Sequence, residues 1–397
     1  RGVLPTLSRH DENALPNRLF KNRGGLRFED VTAGSGVANT GWTQAVGHTD
    51  LDGDGRQDLI VGNDFGVNAY YLNRGDGTFE DVAAELGTDK PSYTMNIGIS
   101  DLNRDGFPDL YISNIVTFDK DQSYVLPGAD TRMQINPDTM CTMRVVEAND
   151  LFISIVKADR LLSYGQAQAL GRGASSTGWA WDADFFDVDN DGDDDLYCVN
   201  GMNEYAVYSD IGPYKTGGEG DRLVMPVSDR ASNVLFLNHD GRMHNVSARS
   251  GADLLGNSRS VAYLDLEGDG DHDMVVNNFH GSAVVYRNNA EKLGNHWIKI
   301  RLIGDPATGV SRDAVGAKIL VSTANHRNLW REVHSTTGYL SVHPQVQHLG
   351  LGGDTEATVT VIWPDSSREV FEDLAADRGY TIVQGKGIIE PVDTASP

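Results

Sequence analysis

One nine-residue pattern occurs four times in this chain, as loop 1 (DLDGDGRQD, 50–58), loop 2 (DLNRDGFPD, 101–109), loop 3 (DVDNDGDDD, 187–195) and loop 4 (DLEGDGDHD, 265–273). Positions 1, 3, 5 and 9 carry the side-chain oxygens of Asp, Asn or Glu, and position 6 is always Gly. In such a loop alternate side chains point inward, and Gly permits the tight turn that brings the last carboxylate round. The pattern predicts a site for a hard cation. Ca²⁺ fits best because it accepts about six to eight oxygens in flexible geometry.

The candidate calcium ligands are positions 1, 3, 5, 7 and 9 of each loop, which gives about four sites. They are Asp50, Asp52, Asp54, Arg56 and Asp58 in loop 1; Asp101, Asn103, Asp105, Phe107 and Asp109 in loop 2; Asp187, Asp189, Asp191, Asp193 and Asp195 in loop 3; and Asp265, Glu267, Asp269, Asp271 and Asp273 in loop 4. We expect each ion to be structural, joining the strands on either side and relieving repulsion among the crowded carboxylates.

The loops differ from the helical calcium module, which needs a bidentate Glu at position 12. Here position 12 is Val61, Ile112, Cys198 or Val276. A short, β-rich run follows each loop at once (LIVGN, LYISN, LYCVN, MVVNN), so the sequence predicts calcium loops inside β-hairpins.

A second motif alternates with the first: an apolar run, Asn, a Gly-rich turn, then F-x-D-V, as in 19–31 and 70–82, with weaker forms at 151–164 and 284–289. One unit then reads as strand A, calcium loop, strand B, strand C, Gly turn and strand D, which is typical of a propeller blade. The number of blades stays open. The pair at 19–31 has no A–B pair of its own, so either blades upstream are missing or the insertions near 117–148 and 203–231 hide degenerate strands.

From about residue 293 the pattern changes to alternating strands without a calcium loop. We predict an all-β chain in four parts: an N-terminal extension (1–16), a calcium-loop propeller (17–292), a small β-sandwich-like domain (293–391) and a tail (392–397).

The net charge of −24 excludes nucleic acid as a partner, because no basic stripe is available to neutralise phosphates. No run of about 18 apolar residues predicts a membrane span. The chain starts at Arg1 rather than Met, which suggests a processed N-terminus. Loops of this kind fill where Ca²⁺ is plentiful, so we expect an exported protein, secreted, on the cell surface or periplasmic.

The repeats resemble FG-GAP/VCBS propeller repeats, as in integrin α-subunit heads. The segments GNHWIKIRLIG (294–304), RDAVGAKI (312–319), STTGYLS (335–341), HLGLG (348–352) and WPDSS (363–367) resemble the ASPIC/UnbV domain. Together they are similar to the cartilage acidic protein-like family. The resemblance implies an exported, calcium-binding protein of unsettled activity, since a fold does not fix a function. Glu267 departs from the usual short ligand at position 3.

A ligand position is suggested by the residues eight places before each loop, at the start of strand A. These are Trp42, Tyr93, Trp179 and Asn257. In propellers strand A is innermost, so the four residues either pack between blades or ring a pocket under the two insertions, on the face opposite the calcium loops.

His334, His343 and His348 could form a metal site, although a buried structural role suits His348 in its HLGLG motif.

No nucleophile motif occurs. We therefore expect a binding or scaffold protein for a partner protein, glycan or surface, with structural Ca²⁺, acting alone or as one subunit of a larger assembly. The alternative is an enzyme acting on a small or apolar substrate in the pocket opposite the loops.

Overall fold

The computed structural model describes residues 14–391, except 115–148, 167–173, 202–230 and the single positions 65, 91, 159, 176, 240, 326, 327 and 337. Both predicted insertions fall outside these described residues, apart from the last position of the second, 231. Within them the helices are short: α1 (Ala83–Leu86), α2 (Ser247–Ser250) and two 3₁₀ turns (Ala290–Lys292 and Pro306–Thr308). No helix in the described part is long and apolar enough to cross a membrane. The predicted all-β class is confirmed.

Three sheets have the predicted order of strands A, B, C and D, each antiparallel to the next. Sheet 1 consists of β3 (Thr43–Thr49), β4 (Asp58–Asn63), β5 (Ala69–Asn73) and β6 (Phe79–Asp81). Sheet 2 consists of β7 (Thr94–Ser100), β8 (Asp109–Asn114), β9 (Asp150–Val156) and β10 (Leu161–Gln166). Sheet 3 consists of β11 (Ala180–Phe186), β12 (Asp195–Asn200), β14 (Val234–His239) and β15 (Arg242–Asn245).

The remaining strands before residue 290 follow the A–B–C–D pattern only in part. Sheet 4 has three strands among the described residues: β17 (Ser258–Leu264), β18 (Asp273–Asn278) and β19 (Val284–Tyr286). The unpaired C–D motif at 19–31 forms a separate hairpin of β1 (Phe20–Asn22) and β2 (Phe28–Asp30). A short pair joins β13 (Ala231–Ser232) to β16 (Leu255–Gly256).

All four A–B hairpins share one irregularity of register. The pairing shifts between the first and third residues of strand A, at Thr43/Ala45, Thr94/Asn96, Ala180/Asp182 and Ser258/Ser260. A bulge bends and twists a strand locally, so its recurrence shows that the four units are copies of one local structure.

The four sheets stand side by side, with strands A in contact in the order β3, β7, β11 and β17. Apolar clusters fill the spaces between neighbouring sheets, for example Ile60 of sheet 1 against Leu110 of sheet 2. Strand β8 is buried on both faces, and this explains why B strands read as apolar runs. The arrangement is propeller-like, as the repeats predict.

The C-terminal strands form two four-stranded sheets around one apolar core that includes Ile298, Ile319 and Trp363. One sheet has the order β23 (Gln347–Gly352), β20 (His296–Ile303), β26 (Arg378–Val383) and β27 (Gly387–Pro391). The other has the order β22 (Leu329–Glu332), β21 (Lys318–Ser322), β24 (Glu356–Ile362) and β25 (Arg368–Ala375).

Candidate calcium sites and the domain seated on them

The first aspartate of each loop is held by the same two main-chain N–H groups in all four copies. In loop 1, Asp54 N donates to Asp50 Oδ1 (3.0 Å) and Gly55 N donates to Asp50 Oδ2 (2.8 Å). The equivalent bonds in the other loops are 2.8 to 3.1 Å long. Position 6 has a left-handed backbone, with φ between 86° and 95° in the four copies, and this is the conformation for which Gly was predicted.

The last aspartate of each loop also has a repeated role. Asp58 Oδ2 accepts a hydrogen bond from Leu51 N (2.8 Å), and its Oδ1 accepts one from Asn73 N in strand C (2.7 Å). The same two bonds, 2.7 to 2.8 Å long, recur in loops 2 to 4. The carboxylate therefore ties the start of its loop to strand C, while its own residue begins strand B.

Carboxylate oxygens converge in loops 1 and 3. Ligand atoms of Asp50, Asp52 and Asp58, at positions 1, 3 and 9, lie within 4.8 Å of one another, and those of the same positions in loop 3 do likewise. Loop 2 has Asn103 at position 3, and its Oδ1 accepts a hydrogen bond from Asp105 N (3.0 Å). Carboxylate and amide oxygens are the donors that Ca²⁺ prefers.

These carboxyl groups are poorly placed to hold charge without a cation. Burial raises the pKa of Asp58, Asp101 and Asp109 to about 7. Burial, and then the charges of neighbouring carboxylates, raise the pKa of Asp187 and Asp195 well above the usual range. A bound divalent cation would supply the missing opposite charge and favour the ionised form.

Loop 4 brings together a different set of oxygens. Atoms of Asp269, Asp271 and Glu291 lie within 4.8 Å of one another, and Glu291 belongs to a 3₁₀ turn outside the predicted loop. Asp271 is 1% exposed, and its Oδ2 accepts a hydrogen bond from Ala290 N (2.7 Å). The Oδ1 atoms of Asp269 and Asp271 are buried and have no hydrogen-bond partner. A cation bound here would supply the partner that these two oxygens lack.

The other ligand positions of loop 4 are engaged by side-chain cations. Lys299 Nζ pairs with Asp265, at position 1, and Arg287 Nε lies 2.6 Å from Glu267 Oε1, at position 3. Glu267 is the residue that departs from the repeat pattern. The sequence reasoning missed Glu291, which carries no signal because it lies in a separate segment.

The C-terminal domain sits directly on the loops. The first aspartates of loops 1, 3 and 4 each accept a donor from it. These donors are Lys318 Nζ to Asp50 (2.8 Å), Gly350 N to Asp187 (3.0 Å) and Lys299 Nζ to Asp265. Arg331 adds a two-pronged contact with Asp194 in loop 3 (2.9 and 2.5 Å). The face that the loops form is therefore also the surface on which the C-terminal domain packs.

Two of the segments that resemble ASPIC/UnbV make this contact. In STTGYLS (335–341), Tyr339 N and Ser341 Oγ donate to the carboxylate of Asp182 in β11 (2.9 and 3.0 Å). In HLGLG (348–352), His348 Nε2 lies 2.7 Å from Asn190 Oδ1 in loop 3. These two motifs therefore form part of the contact between the two domains.

The predicted ligand positions lie at the opposite end of the A–B hairpins. The main-chain oxygens of Trp42, Trp179 and Asn257 each accept an N–H just beyond strand B (2.7 to 3.2 Å), and Tyr93 N donates to Asn114 Oδ1 (3.1 Å). Trp42 is 48% exposed. The insertions expected to cover them lie outside the described residues, so a pocket on that face stays a prediction.

The three candidate metal-binding histidines, His334, His343 and His348, line one cavity. Among the residues that the structure describes, no group of three metal-ligating side chains includes a His. His343 Nε2 lies 3.0 Å from Asp184 Oδ2, and its Nδ1 accepts a hydrogen bond from Tyr263 N (3.3 Å). His348 is 4% exposed and hydrogen-bonded, as its expected structural role requires.

Comparison with known proteins agrees with this geometry. The FG-GAP-like repeat family model matches residues 50–112, and the ASPIC and UnbV family model matches residues 307–389. The chain therefore contains an FG-GAP-like repeat followed by an ASPIC/UnbV segment.

The chain is similar to cartilage acidic protein 1 over most of its length. It is 24% identical to the Homo sapiens protein over 357 residues, which cover 88% of this chain and 45% of that protein. It is 23% identical to the Mus musculus protein over 385 residues, which cover 95% of this chain and 50% of that protein. It is 23% identical to the Xenopus tropicalis protein over 350 residues, which cover 87% of this chain and 45% of that protein. The chain spans about half the length of these relatives.

Proposed function

We propose that this chain is an exported calcium-binding repeat protein, in which Ca²⁺ rigidifies the loop-bearing face and the seat of the C-terminal domain. The observation that carries this proposal is the repeated frame of the loops. Four loops hold their first and last carboxylates by the same hydrogen bonds, and three carboxylates converge within 4.8 Å in loops 1 and 3.

The donor set suits Ca²⁺. Positions 1, 3 and 9 would hold the ion in loops 1 and 3, Asn103 would take part in loop 2, and Asp269, Asp271 and Glu291 would hold the ion near loop 4. The bound ion supplies charge neutralisation and a cross-link between strands A and B. Mg²⁺ suits such a loop less well because it demands stricter geometry and keeps its waters.

We infer further that the protein works by binding a partner, a protein, glycan or surface, on a face held rigid by these ions. Export would place the chain where Ca²⁺ is plentiful enough to fill the loops. The names of the relatives refer to cartilage and to acidic character, which is consistent with a calcium-rich setting outside cells. An enzyme with its pocket opposite the loops is the alternative, and it stays a prediction because both insertions lie outside the described residues.

Thermal unfolding with and without calcium tests the proposal. At pH 7.5, millimolar CaCl₂ should raise the melting temperature of metal-free protein by about 10 °C or more. The estimate assumes that at least two sites, each filled far above its dissociation constant, contribute about 2–3 kcal/mol apiece.

The calcium-dependent rise should shrink as the pH falls from 7.5 to 5. In metal-free protein the pKa of Asp58, Asp101 and Asp109 stands near 7, above the unfolded value, so the folded chain holds these protons more tightly. Their contribution to stability is full below about pH 4 and is lost as the pH rises through 7. Protons therefore compete with Ca²⁺ throughout this range. Buried histidines titrate in the opposite direction, but their contribution cancels when each pH is compared with and without calcium.

MgCl₂ at the same concentration is the control and should give a much smaller rise. Melting curves that coincide with and without CaCl₂ at pH 7.5 would refute the proposed calcium role.

A further inference from the structure

Loops 1 and 3 offer a cation the same three carboxylates but meet the C-terminal domain through groups of different charge. In both loops the ligand atoms of positions 1, 3 and 9 lie within 4.8 Å of one another. Position 1 of loop 3, Asp187, accepts a hydrogen bond from the neutral main-chain N–H of Gly350 (3.0 Å). Position 1 of loop 1, Asp50, accepts one from the ammonium group of Lys318 (2.8 Å). The two loops therefore differ in charge at the ligand with which each begins.

The ammonium group of Lys318 is held in place beside loop 1. The Lys318 side chain is 15% exposed and that of Asp50 is 2% exposed. Strand β21, in which Lys318 lies, is paired on both sides, with β22 and with β24. Salt and solvent screen such a pair less than they screen an ion pair on the surface. Lys318 is thus a fixed positive charge on a candidate calcium ligand.

Glu332 gives Lys318 a second anionic neighbour. It lies directly opposite Lys318 in the pairing of β21 with β22, an arrangement in which opposite charges attract. Burial raises the pKa of Glu332 to about 7, and the charge of Lys318 opposes that rise. Glu332 also accepts hydrogen bonds from Thr49 Oγ1 (2.5 Å), just before loop 1, and from Gln57 Nε2 within it. Lys318 can therefore turn to Glu332 when another cation takes Asp50.

A lysine ammonium group and Ca²⁺ compete for the same carboxylate. A univalent and a divalent cation about 4 Å apart repel each other enough to lower a binding constant about 30-fold, even at the dielectric constant of water. If Lys318 instead leaves Asp50, the contact between the two is lost. Either way Lys318 weakens calcium binding at loop 1, whereas the uncharged Gly350 imposes no such cost on loop 3.

The remaining charges around the two loops act in the same direction. Loop 3 contains six carboxylates and loop 1 contains four. Among the described residues, two lysine or arginine side chains pair with each loop: Lys318 and Arg56 with loop 1, and Arg104 and Arg331 with loop 3. Loop 3 thus keeps a net charge of −4 and loop 1 a net charge of −2. The more negative loop attracts a divalent cation more strongly.

We propose that Lys318 sets the calcium affinity of loop 1 below that of loop 3. Loop 3 then stays filled as the free Ca²⁺ concentration falls and maintains the surface on which the C-terminal domain packs. Loop 1 fills and empties over a higher range of concentration, and Asp50 passes between Ca²⁺ and Lys318. The proposal rests on the calcium role proposed above and adds the residue that divides the sites into two classes.

Hydrogen–deuterium exchange of the full chain, read by mass spectrometry over a series of free Ca²⁺ concentrations, follows the two loops on separate peptides. The amides of each loop should become protected as its site fills. The midpoint for loop 1 should lie at a free Ca²⁺ concentration at least about 10-fold higher than the midpoint for loop 3. Lys318→Met should lower the midpoint of loop 1 about 10- to 30-fold. It should leave the midpoint of loop 3 within about 2-fold.

Three further variants control for charge and for folding. Lys318→Arg keeps the positive charge and should leave the midpoint of loop 1 within about 3-fold of the parent value. Lys386→Met makes the same change of net charge in an exposed turn after β26, and should leave both midpoints within about 2-fold. If Lys318→Met does not fold, Lys318→Gln takes its place, because it removes the charge but keeps an N–H donor for Asp50.

The outcomes separate this proposal from the calcium role on which it rests. Calcium-dependent protection with the same midpoint in loops 1 and 3 would overturn this proposal alone. So would a midpoint of loop 1 that removal of the Lys318 charge leaves unchanged. If no loop changes its exchange on addition of millimolar Ca²⁺, the calcium role itself is refuted and this proposal falls with it.

Discussion

Replacing Asp195 with alanine is expected to lower the free energy of unfolding by about 3–5 kcal/mol in the presence of Ca²⁺. Asp195 is fully buried, and it accepts Val188 N and Asn238 N, both at 2.8 Å. Alanine leaves two buried N–H groups without a partner, and each costs about 1–3 kcal/mol. It also removes one of the three converging carboxylates of loop 3. Urea denaturation in CaCl₂ measures the loss.

Asp76→Ala is the matched control for this change. Asp76 also accepts hydrogen bonds, from Thr78 N (2.9 Å) and Thr78 Oγ1 (2.6 Å), but in an exposed turn outside every loop. Its loss should stay under about 1 kcal/mol. Equal losses in the two variants would mean that the loop carboxylate has no special role.

Replacing Gly350 with alanine should unseat the C-terminal domain from loop 3. A Cβ at Gly350 would lie 2.5 Å from Asn190 Cα and closer still to the carboxylate of Asp187. Strand β23 must then move away from loop 3 and lose the hydrogen bond from Gly350 N to Asp187 (3.0 Å). Forced overpacking costs about 1–3 kcal/mol, and the lost docking contact adds to that. We expect a lower melting temperature and a larger radius of gyration by small-angle scattering.

Gly353→Ala is the control for Gly350→Ala. Gly353 lies three residues further along the chain, and a Cβ there would meet nothing within 4 Å. This variant should keep the melting temperature and the radius of gyration of the parent chain. A Gly350 variant as stable and compact as the Gly353 variant would contradict the docking described above.

The repeats were predictable because their information is local. Nine adjacent residues contain the carboxylates and the left-handed glycine, and an apolar run buried on both faces marks strand B directly after them. The same local reasoning was less complete at 151–164, where the Gly turn is missing. A hairpin forms there all the same, with Ala158 in the left-handed conformation (φ 52°) and Lys157 and Arg160 bonded across the turn.

The individual side chains that reach the loops from other segments left no such trace. Lys318 reaches Asp50 from a distant part of the sequence, and Glu291 comes from a turn outside loop 4. Single residues in separate segments form no pattern that spacing can reveal.

Native mass spectrometry of the intact chain, prepared without chelator, tests the central claim most directly. We predict one Ca²⁺ for each loop, about four in all. The Asp195→Ala protein should carry one ion fewer, and the Asp76→Ala control should carry the full number. A parent chain that retains no Ca²⁺ at millimolar concentration, or an Asp195 variant that retains the full number, would contradict the account.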